Sequence, residues 1–237
     1  MKNVRTIGFW SGIMACGFTV SYVVVQLLQV SGVLHFPADE ILIYGTSLCI
    51  VIPFVLEMLS FHYATPKEKK FSSHAALIFT IIYAVFVTAN YVVQLATVIP
   101  MKLEGRLEEV RVLDQTPHSL FWDFDALGYI FMGLAMLIAV PAFRKQGFEK
   151  FVRISFLANG LVTPLISFVY FYPHYSEALL VLGYPWAFTA PLAMLMLALM
   201  FRKKEISKKQ PEPTHPDKQT TYHSDSSANP FGEIPFL

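Results

Sequence analysis

Residues 74–100, HAALIFTIIYAVFVTANYVVQLATVIP, form an apolar run that contains no Asp, Glu, Lys or Arg. The run is longer than the roughly 20 apolar residues that cross a bilayer as a helix. Its polar residues recur at spacings of three, four and seven, which places them on one side of a helix. These residues are Thr80, Tyr83, Asn90, Gln94 and Thr97. Because an amide that faces lipid is costly, the stretch predicts a membrane-spanning helix whose polar seam faces other helices or water.

The composition of the whole chain agrees with this prediction. Of its 237 residues, 54% are hydrophobic and 15% are charged, whereas soluble domains carry about 25% charged residues. The net charge of +1 provides no field that would attract nucleic acid, so no nucleic-acid partner is expected. Cys16 and Cys49 lie in apolar runs and form no CxxC pair, which argues against zinc-thiolate and dithiol redox chemistry. No nucleotide-binding or hydrolase motif occurs, and no cofactor is predicted.

Further apolar runs on both sides predict an all-α bundle of six transmembrane helices. The predicted spans cover residues 7–33, 41–61, 74–100, 119–142, 152–172 and 179–201. Gly8 and Gly12 on the first span form a small-xxx-small surface that lets another backbone approach closely. The sixth span has the least polar surface and is expected to face lipid. We expect a membrane domain over residues 1–204 and a disordered cytoplasmic tail over 205–237, because the tail cannot bury a core.

The basic residues are distributed unevenly between the connecting segments. Only Lys102, Arg106 and Arg111 fall in the third link. The other fifteen of the 18 fall in the two terminal segments and in the second and fourth links: Lys2, Arg5, Lys67, Lys69, Lys70, Arg144, Lys145, Lys150, Arg153, Arg202, Lys203, Lys204, Lys208, Lys209 and Lys218. The positive-inside rule then places both termini in the cytoplasm.

Polar seams on the first, third and fifth spans predict a shared polar interior. The candidate ligand-binding residues are Tyr22, Gln26, Gln29, Asn90, Gln94, Asn159, Thr163 and the intramembrane acid Glu57. Asn90 and Gln94 lie one turn apart, and Gln26 is expected at a similar depth, so these three amides are predicted to line one site. Two alternatives stay open. The amides could serve only to hold the bundle together, and Glu57 could reach the headgroups or a loop lysine.

A second set of candidates lies on the predicted outer side. Three histidines come from three different loops, and two acids open the fourth span: His35, His118, His174, Asp123 and Asp125. Three histidines and a carboxylate could make a zinc site if they converged. No HxxxH or HExxH spacing indicates convergence, and acids also suit the positive end of a helix N-terminus. No metal is therefore predicted, and these five residues are kept as the alternative.

The function favoured by these features is binding or transport of a small neutral or amphipathic solute, or of a lipid, through a polar-lined helix bundle. Two other classes stay open: a membrane-embedded enzyme that uses the outer His and Asp groups, and an accessory subunit of a membrane complex. The expected partners are the lipid bilayer, a small-molecule or lipid ligand, and a membrane-protein partner or second copy. Seams that meet around a cavity favour transport, converged outer side chains favour an enzyme, and seams that face lipid favour a missing partner.

Overall fold

Six long helices dominate the computed structural model, which describes residues 2–209. They are α1 (Lys2–Val30), α2 (Ala38–Ala64), α3 (Lys70–Val93), α4 (Leu120–Ala139), α5 (Phe148–Phe171) and α6 (Trp186–Lys209). No β-strand occurs within residues 2–209, and six helical stretches are long and apolar enough to cross a membrane. The prediction of an all-α chain with six apolar helices is therefore confirmed over this range.

Shorter elements connect the long helices. A π-helical segment, Gln94–Val98, and an α-helical turn, Ile99–Leu103, continue α3. The other short elements are the helices Leu107–Val110 and Glu177–Leu180 and the 3-10 turns Lys67–Lys69, Val140–Ala142 and Val181–Gly183. The sixth long helix begins at Trp186 rather than near residue 179, since Pro185 has no N–H to donate to the preceding turn.

The last helix also bears on the predicted tail. It continues to Lys209, so residues 205–209, at the start of that tail, are helical. The predicted disorder of residues 210–237 lies outside the described part of the chain.

The long helices pack in a ring that follows chain order. Each contacts the next, and α6 returns to contact α1. With six helices running alternately up and down, Lys2 and Lys209 lie at the same end of the ring. This end also carries the links 65–69 and 143–147. We call it the basic end, because the Lys and Arg residues are concentrated in these segments. The opposite end, which we call the loop end, carries residues 104–119.

Near the basic end, α1 lies very close to α2 and α6. A Cβ atom added to Gly8 would lie 2.7 Å from the Phe201 ring. A Cβ atom added to Gly12 would lie 2.3 Å from Glu57 Oε1 and 2.7 Å from Ala198 Cβ. Real Cβ atoms do not approach other atoms this closely, so the small-residue surface of α1 is a helix-packing surface, as its spacing indicates.

The interior of the basic half is filled by apolar side chains. Phe61 stacks on Phe143 with ring centroids 4.8 Å apart, and Phe143 meets Phe156 edge to face at 5.1 Å. Phe54 and Met58 are fully buried beside them. We call these five side chains the apolar plug, and they fill the ring on the basic side of its polar interior.

The sixth span, which we expected to face lipid, exposes Phe188 and Leu192 on one face of α6 and buries the opposite face. Ala190, Ala193 and Leu197 are fully buried, because α6 closes the ring between α5 and α1. Among the six long helices, α1 has the smallest share of buried residues, and its Trp10 side chain is 59% exposed. An apolar surface packs equally well against lipid tails and against another apolar helix, so hydropathy does not separate the two.

Candidate functional site

Asp125 is a buried carboxylate in the loop half of the ring. It lies in the second turn of α4, and 5% of the residue is exposed. Tyr91 of α3 donates a hydrogen bond to its Oδ1 at 2.8 Å, and Tyr170 of α5 donates to its Oδ2 at 2.5 Å. Each carboxylate oxygen is thus held by a phenol from a different neighbouring helix. Such hydrogen bonds offset part of the cost of removing a carboxylate from water.

Three further aromatic side chains surround this carboxylate. Tyr129, one turn beyond Asp125 on α4, shares a hydrogen bond with Tyr22 of α1 at 3.0 Å between the hydroxyl oxygens. Trp186 of α6 meets the rings of Tyr129 and Tyr22 edge to face, with centroid distances of 4.9 and 5.9 Å. Counting Tyr91 and Tyr170, side chains from five helices form this aromatic cluster.

A small cavity lies between these residues. Its lining comes from α1, α2, α3, α4 and α6: Tyr22, Ser47, Ile50, Tyr83, Val87, Tyr91, Asp125, Tyr129, Met132 and Trp186. The space open to the centre of a water molecule is about 20 Å³, which is enough for about one water. In this conformation the cavity is therefore nearly closed, and it combines one carboxylate with aromatic walls.

Of the predicted ligand-binding residues, Tyr22 lines this cavity, whereas the two glutamines of α1 lie nearer the loop end. Gln26 donates to Gln29 Oε1 at 3.1 Å, and Gln29 donates to Asp39 Oδ2 at 2.9 Å. Asp39 opens α2 and is itself buried. This chain of hydrogen bonds joins α1 to the start of α2.

Asn90 and Gln94 attach α3 to the loop at the loop end. Both side chains are 0% exposed. Asn90 donates to Gln115 Oε1 at 2.9 Å, and Gln94 donates to the Leu113 carbonyl at 2.7 Å. Gln94 also donates to Asn90 Oδ1 at 3.5 Å, whereas the hydrogen bond of Gln26 stays within α1. Two of the three amides that we predicted to share one site are therefore together, and Gln26 is bonded elsewhere.

Lys102 adds an ionic attachment to the same loop. Its ammonium lies 3.0 Å from Glu40 of α2 and 2.9 Å from Asp114 of the loop. All three side chains are largely buried. We call Asn90, Gln94 and Lys102 the loop clamp, since each binds a residue between 113 and 115 and together they fasten this part of the loop onto α3.

The predicted polar seam of α5 fixes that helix to its two neighbours. Asn159 donates to Met136 Sδ on α4 at 3.0 Å and accepts a hydrogen bond from Thr189 of α6 at 3.0 Å. Thr163 packs on Gly133 of α4, where an added Cβ atom would lie 1.7 Å from the threonine Oγ1. Both side chains therefore lie at helix–helix contacts and do not line the cavity.

Glu57 lies in the basic half, apart from this cluster. The residue is 0% exposed, and neither carboxyl oxygen has a hydrogen-bond partner among the described residues. The alternative in which Glu57 reaches the headgroups or a loop lysine is therefore wrong. Gly12 leaves the space against α1 that the carboxyl group occupies, so the side chain stays inside the ring.

The candidate metal ligands do not converge. Within residues 2–209, no group of three His, Cys, Asp or Glu side chains could hold a metal ion. Three of the candidates, His35, His118 and His174, are exposed. Asp123 is also exposed while Asp125 is buried, because residues two apart point to different sides of a helix. The alternative zinc site therefore has no geometric support, and no histidine lines the cavity around Asp125.

Sequence reasoning missed four residues of the aromatic cluster, namely Tyr91, Tyr129, Tyr170 and Trp186. The spacing of four between Asp125 and Tyr129 was a usable signal, because it places both side chains on one face of α4. Nothing in the sequence shows that Tyr91 and Tyr170 meet the same carboxylate, since this contact depends on how three helices are rotated.

Comparisons with known proteins add no information to this geometry. The chain matches no protein-family model, no curated protein and no solved structure.

Proposed function

We propose that this chain is an integral membrane protein of six transmembrane helices, with both termini in the cytoplasm, that binds and transports a small solute through the Asp125 cavity. Six apolar helices support membrane insertion, and the concentration of Lys and Arg at the basic end supports the orientation. The polar seams of α1, α3 and α5 find partners inside the ring. This inward orientation favours transport over an accessory subunit, in which the polar seams would face outward to bind a partner protein.

The observation that carries this proposal is the buried carboxylate of Asp125 within aromatic walls. An acid inside a membrane bundle is costly and commonly marks a substrate or ion pathway. A carboxylate in a cavity that Tyr and Trp rings also line suits a cationic group, which gains a charge partner and aromatic rings for cation–π contacts. We therefore narrow the expected solute from a neutral or amphipathic molecule to one that carries a small ammonium group.

The size of the cavity sets a condition on this function. Space for about one water cannot hold a solute of several heavy atoms, so binding requires the helices around Asp125 to separate. The apolar plug lies on the basic side of the cavity, and the loop clamp holds the loop at the other end of the ring. Barriers on both sides of a central site are what alternating access needs, because each can open in turn.

Ligand-induced thermal stabilisation of the purified protein in detergent tests the site. The probes are methylammonium, tetramethylammonium and choline, together with 3,3-dimethyl-1-butanol, which has the shape of choline without its charge. A ligand at about 100 times its Kd stabilises the folded state by about 2.7 kcal/mol. We expect at least one cation to raise Tm and the neutral alcohol to leave it unchanged.

Two variants make this experiment specific. Asp125→Asn removes the charge and should abolish the ligand-induced rise in Tm. Asp123→Asn, two residues away at an exposed position, should preserve it. Equal stabilisation of all three proteins, or equal stabilisation by choline and the neutral alcohol, would show that the cavity around Asp125 is not the cation site.

A cysteine-labelling experiment tests the orientation separately. Cys16 and Cys49 are first replaced by Ala, and single cysteines are then introduced by Lys69→Cys at the basic end and Glu108→Cys at the loop end. An impermeant maleimide applied to intact cells should label the cysteine at position 108 and not the one at position 69. The reverse pattern would overturn the proposed orientation, and labelling of both would contradict the six-span topology.

A further inference from the structure

Glu57 is a buried acid that the proposed solute site does not use. Its carboxyl group lies between α2, the glycine face of α1 and Ala198 of α6. Neither oxygen accepts or donates a hydrogen bond to any described residue, and the residue is fully buried. An ionised carboxylate in this position would lack both water and a counter-charge, which is among the least favourable arrangements in a folded protein.

The groups around Glu57 do not supply that counter-charge. The titratable or charged residues that these helices carry in the basic half are Lys2, Arg5 and Cys16 on α1, His62 and Tyr63 on α2, Lys70, His74 and Tyr83 on α3, and Arg202, Lys203, Lys204, Glu205, Lys208 and Lys209 on α6. The guanidinium of Arg202 lies over the Phe9 ring, and the ammonium of Lys203 lies over the Phe148 ring. Cys16 lies one turn beyond Gly12 on α1. A thiol cannot neutralise a carboxylate.

We propose that Glu57 is a proton-binding site of the bundle, where the carboxyl group holds a proton at neutral pH while α1, α2 and α6 are packed together. In this state the oxygens next to Gly12 carry no charge, so the close contact of the three helices has no ion to desolvate. Separation of α1 from α2 and α6 would admit water and release the proton. This site stands on the geometry of the basic half and does not depend on the proposed solute.

Reaction with the apolar reagent dicyclohexylcarbodiimide tests the proposal. The reagent takes the proton of an undissociated carboxyl group onto one nitrogen, while a carboxyl oxygen bonds to its central carbon, so no other reactant is needed. The full-length protein is treated at pH 7 in detergent, and the adduct is mapped by mass spectrometry. The Asp125→Asn variant is used as well, because it removes the buried acid of the aromatic cluster, whereas the buried Asp39 lies at the start of α2 and is bonded to Gln29.

We expect one adduct on Glu57 in both proteins and none on this residue after treatment with a water-soluble carbodiimide of similar reactivity. Infrared spectra provide a readout that does not depend on reagent entry: the C=O band of an undissociated carboxyl group at pH 7 should be lost in Glu57→Gln. If Glu57→Gln fails to fold, the adduct on the folded Asp125→Asn protein decides. Absence of an adduct on Glu57 there, or an unchanged carboxyl band in a folded Glu57→Gln protein, overturns the proposal.

Discussion

Glu57 in the basic half and Asp125 in the loop half are both buried carboxyl groups, and the ring accommodates them in different ways. In the loop half, Asp125 is held by the phenols of Tyr91 and Tyr170. In the basic half, Glu57 has no hydrogen-bond partner among the described residues and lies against the backbone of Gly12. Glu57 is seven residues beyond Ile50, a residue of the Asp125 cavity, and therefore about 10 Å further along α2. A single apolar bundle thus separates a hydrogen-bonded acid from an isolated one.

This difference indicates which interactions each half depends on. The loop half combines helices through polar groups, so the loss of one partner leaves another polar group unsatisfied. Apart from hydrogen bonds near its end, such as that between His62 and Ser73, the basic half combines helices through close apolar contact, so added volume is the more damaging change. Four substitutions or conditions test this contrast, beginning with the largest expected effect.

Added volume at Gly12 should be the most damaging change. Gly12→Leu places side-chain atoms where Glu57 and Ala198 already lie, and overpacking of this kind costs about 3 kcal/mol. The free energy of unfolding can be measured by titration from mild detergent into dodecyl sulfate. The matched control is Gly17→Leu on the same helix, where an added Cβ atom meets no atom within 4 Å. Equal losses in both variants would contradict the contrast between the halves.

Removal of the Asp125 carboxylate should destabilise the loop half through its unsatisfied phenols. Asp125→Leu leaves the buried hydroxyls of Tyr91 and Tyr170 without their acceptor, and we expect a loss of about 2 kcal/mol in the same assay. Replacing both tyrosines by Phe in the Asp125→Leu background should recover most of this loss, because no buried donor is then left unpaired. If the triple variant is no more stable than Asp125→Leu, the hydrogen bonds do not explain the effect.

Loss of the loop clamp should have a smaller and more local effect. Asn90→Leu and Gln94→Leu each remove a buried hydrogen bond to the loop, and such bonds contribute about 0.6 kcal/mol in membrane proteins. Trypsin should therefore cut more rapidly at Arg106 and Arg111 in the variants, while Tm changes little. Thr88→Val, an exposed position on the same helix, provides the control. Unchanged cleavage in both Leu variants would show that the loop is held by other contacts.

An exposed acid at the loop end gives the smallest expected effect. Hydrogen bonds from Arg106 lower the pKa of Glu109, and those bonds raise the pKa of Arg106. The pair therefore stabilises the loop above the ordinary glutamate pKa, and this contribution is lost as the pH falls through the lowered value. Arg106→Gln should return the pKa of Glu109 to about 4.3. An NMR titration of the labelled carboxyl carbon measures this, and an unchanged midpoint would rule out the pairing in solution.

Hydropathy predicted the number of helices, because a long apolar run without charged residues can be recognised from the local sequence alone. The inward direction of the seams was also predictable, since amides avoid lipid. Which of Asp123 and Asp125 points inward was not, because the two-residue spacing separates their directions without giving the rotation of α4.

The hydrogen-bond partners of Asn90 and Gln94 could not be predicted, for a related reason. Their partners, Gln115 and Leu113, belong to a loop whose position depends on tertiary packing and is not encoded in any periodicity. Glu57 shows a third limit of prediction from the sequence. Its short distance from the end of α2 predicted that its carboxyl group could reach the surface. The absence of a Cβ atom at Gly12 instead leaves room for the carboxyl group inside the ring.

The closure of the ring by α6 has a consequence for how the protein is made. Because α1 is synthesised before α6, Gly8 and Gly12 have no contact with Phe201 and Ala198 until α6 has been made. During that time α2 can cover one side of the glycine face, while the other side is open to whatever surrounds the nascent chain. Contacts so distant in sequence form slowly. Addition of α6 is therefore the step that completes the enclosure of Glu57.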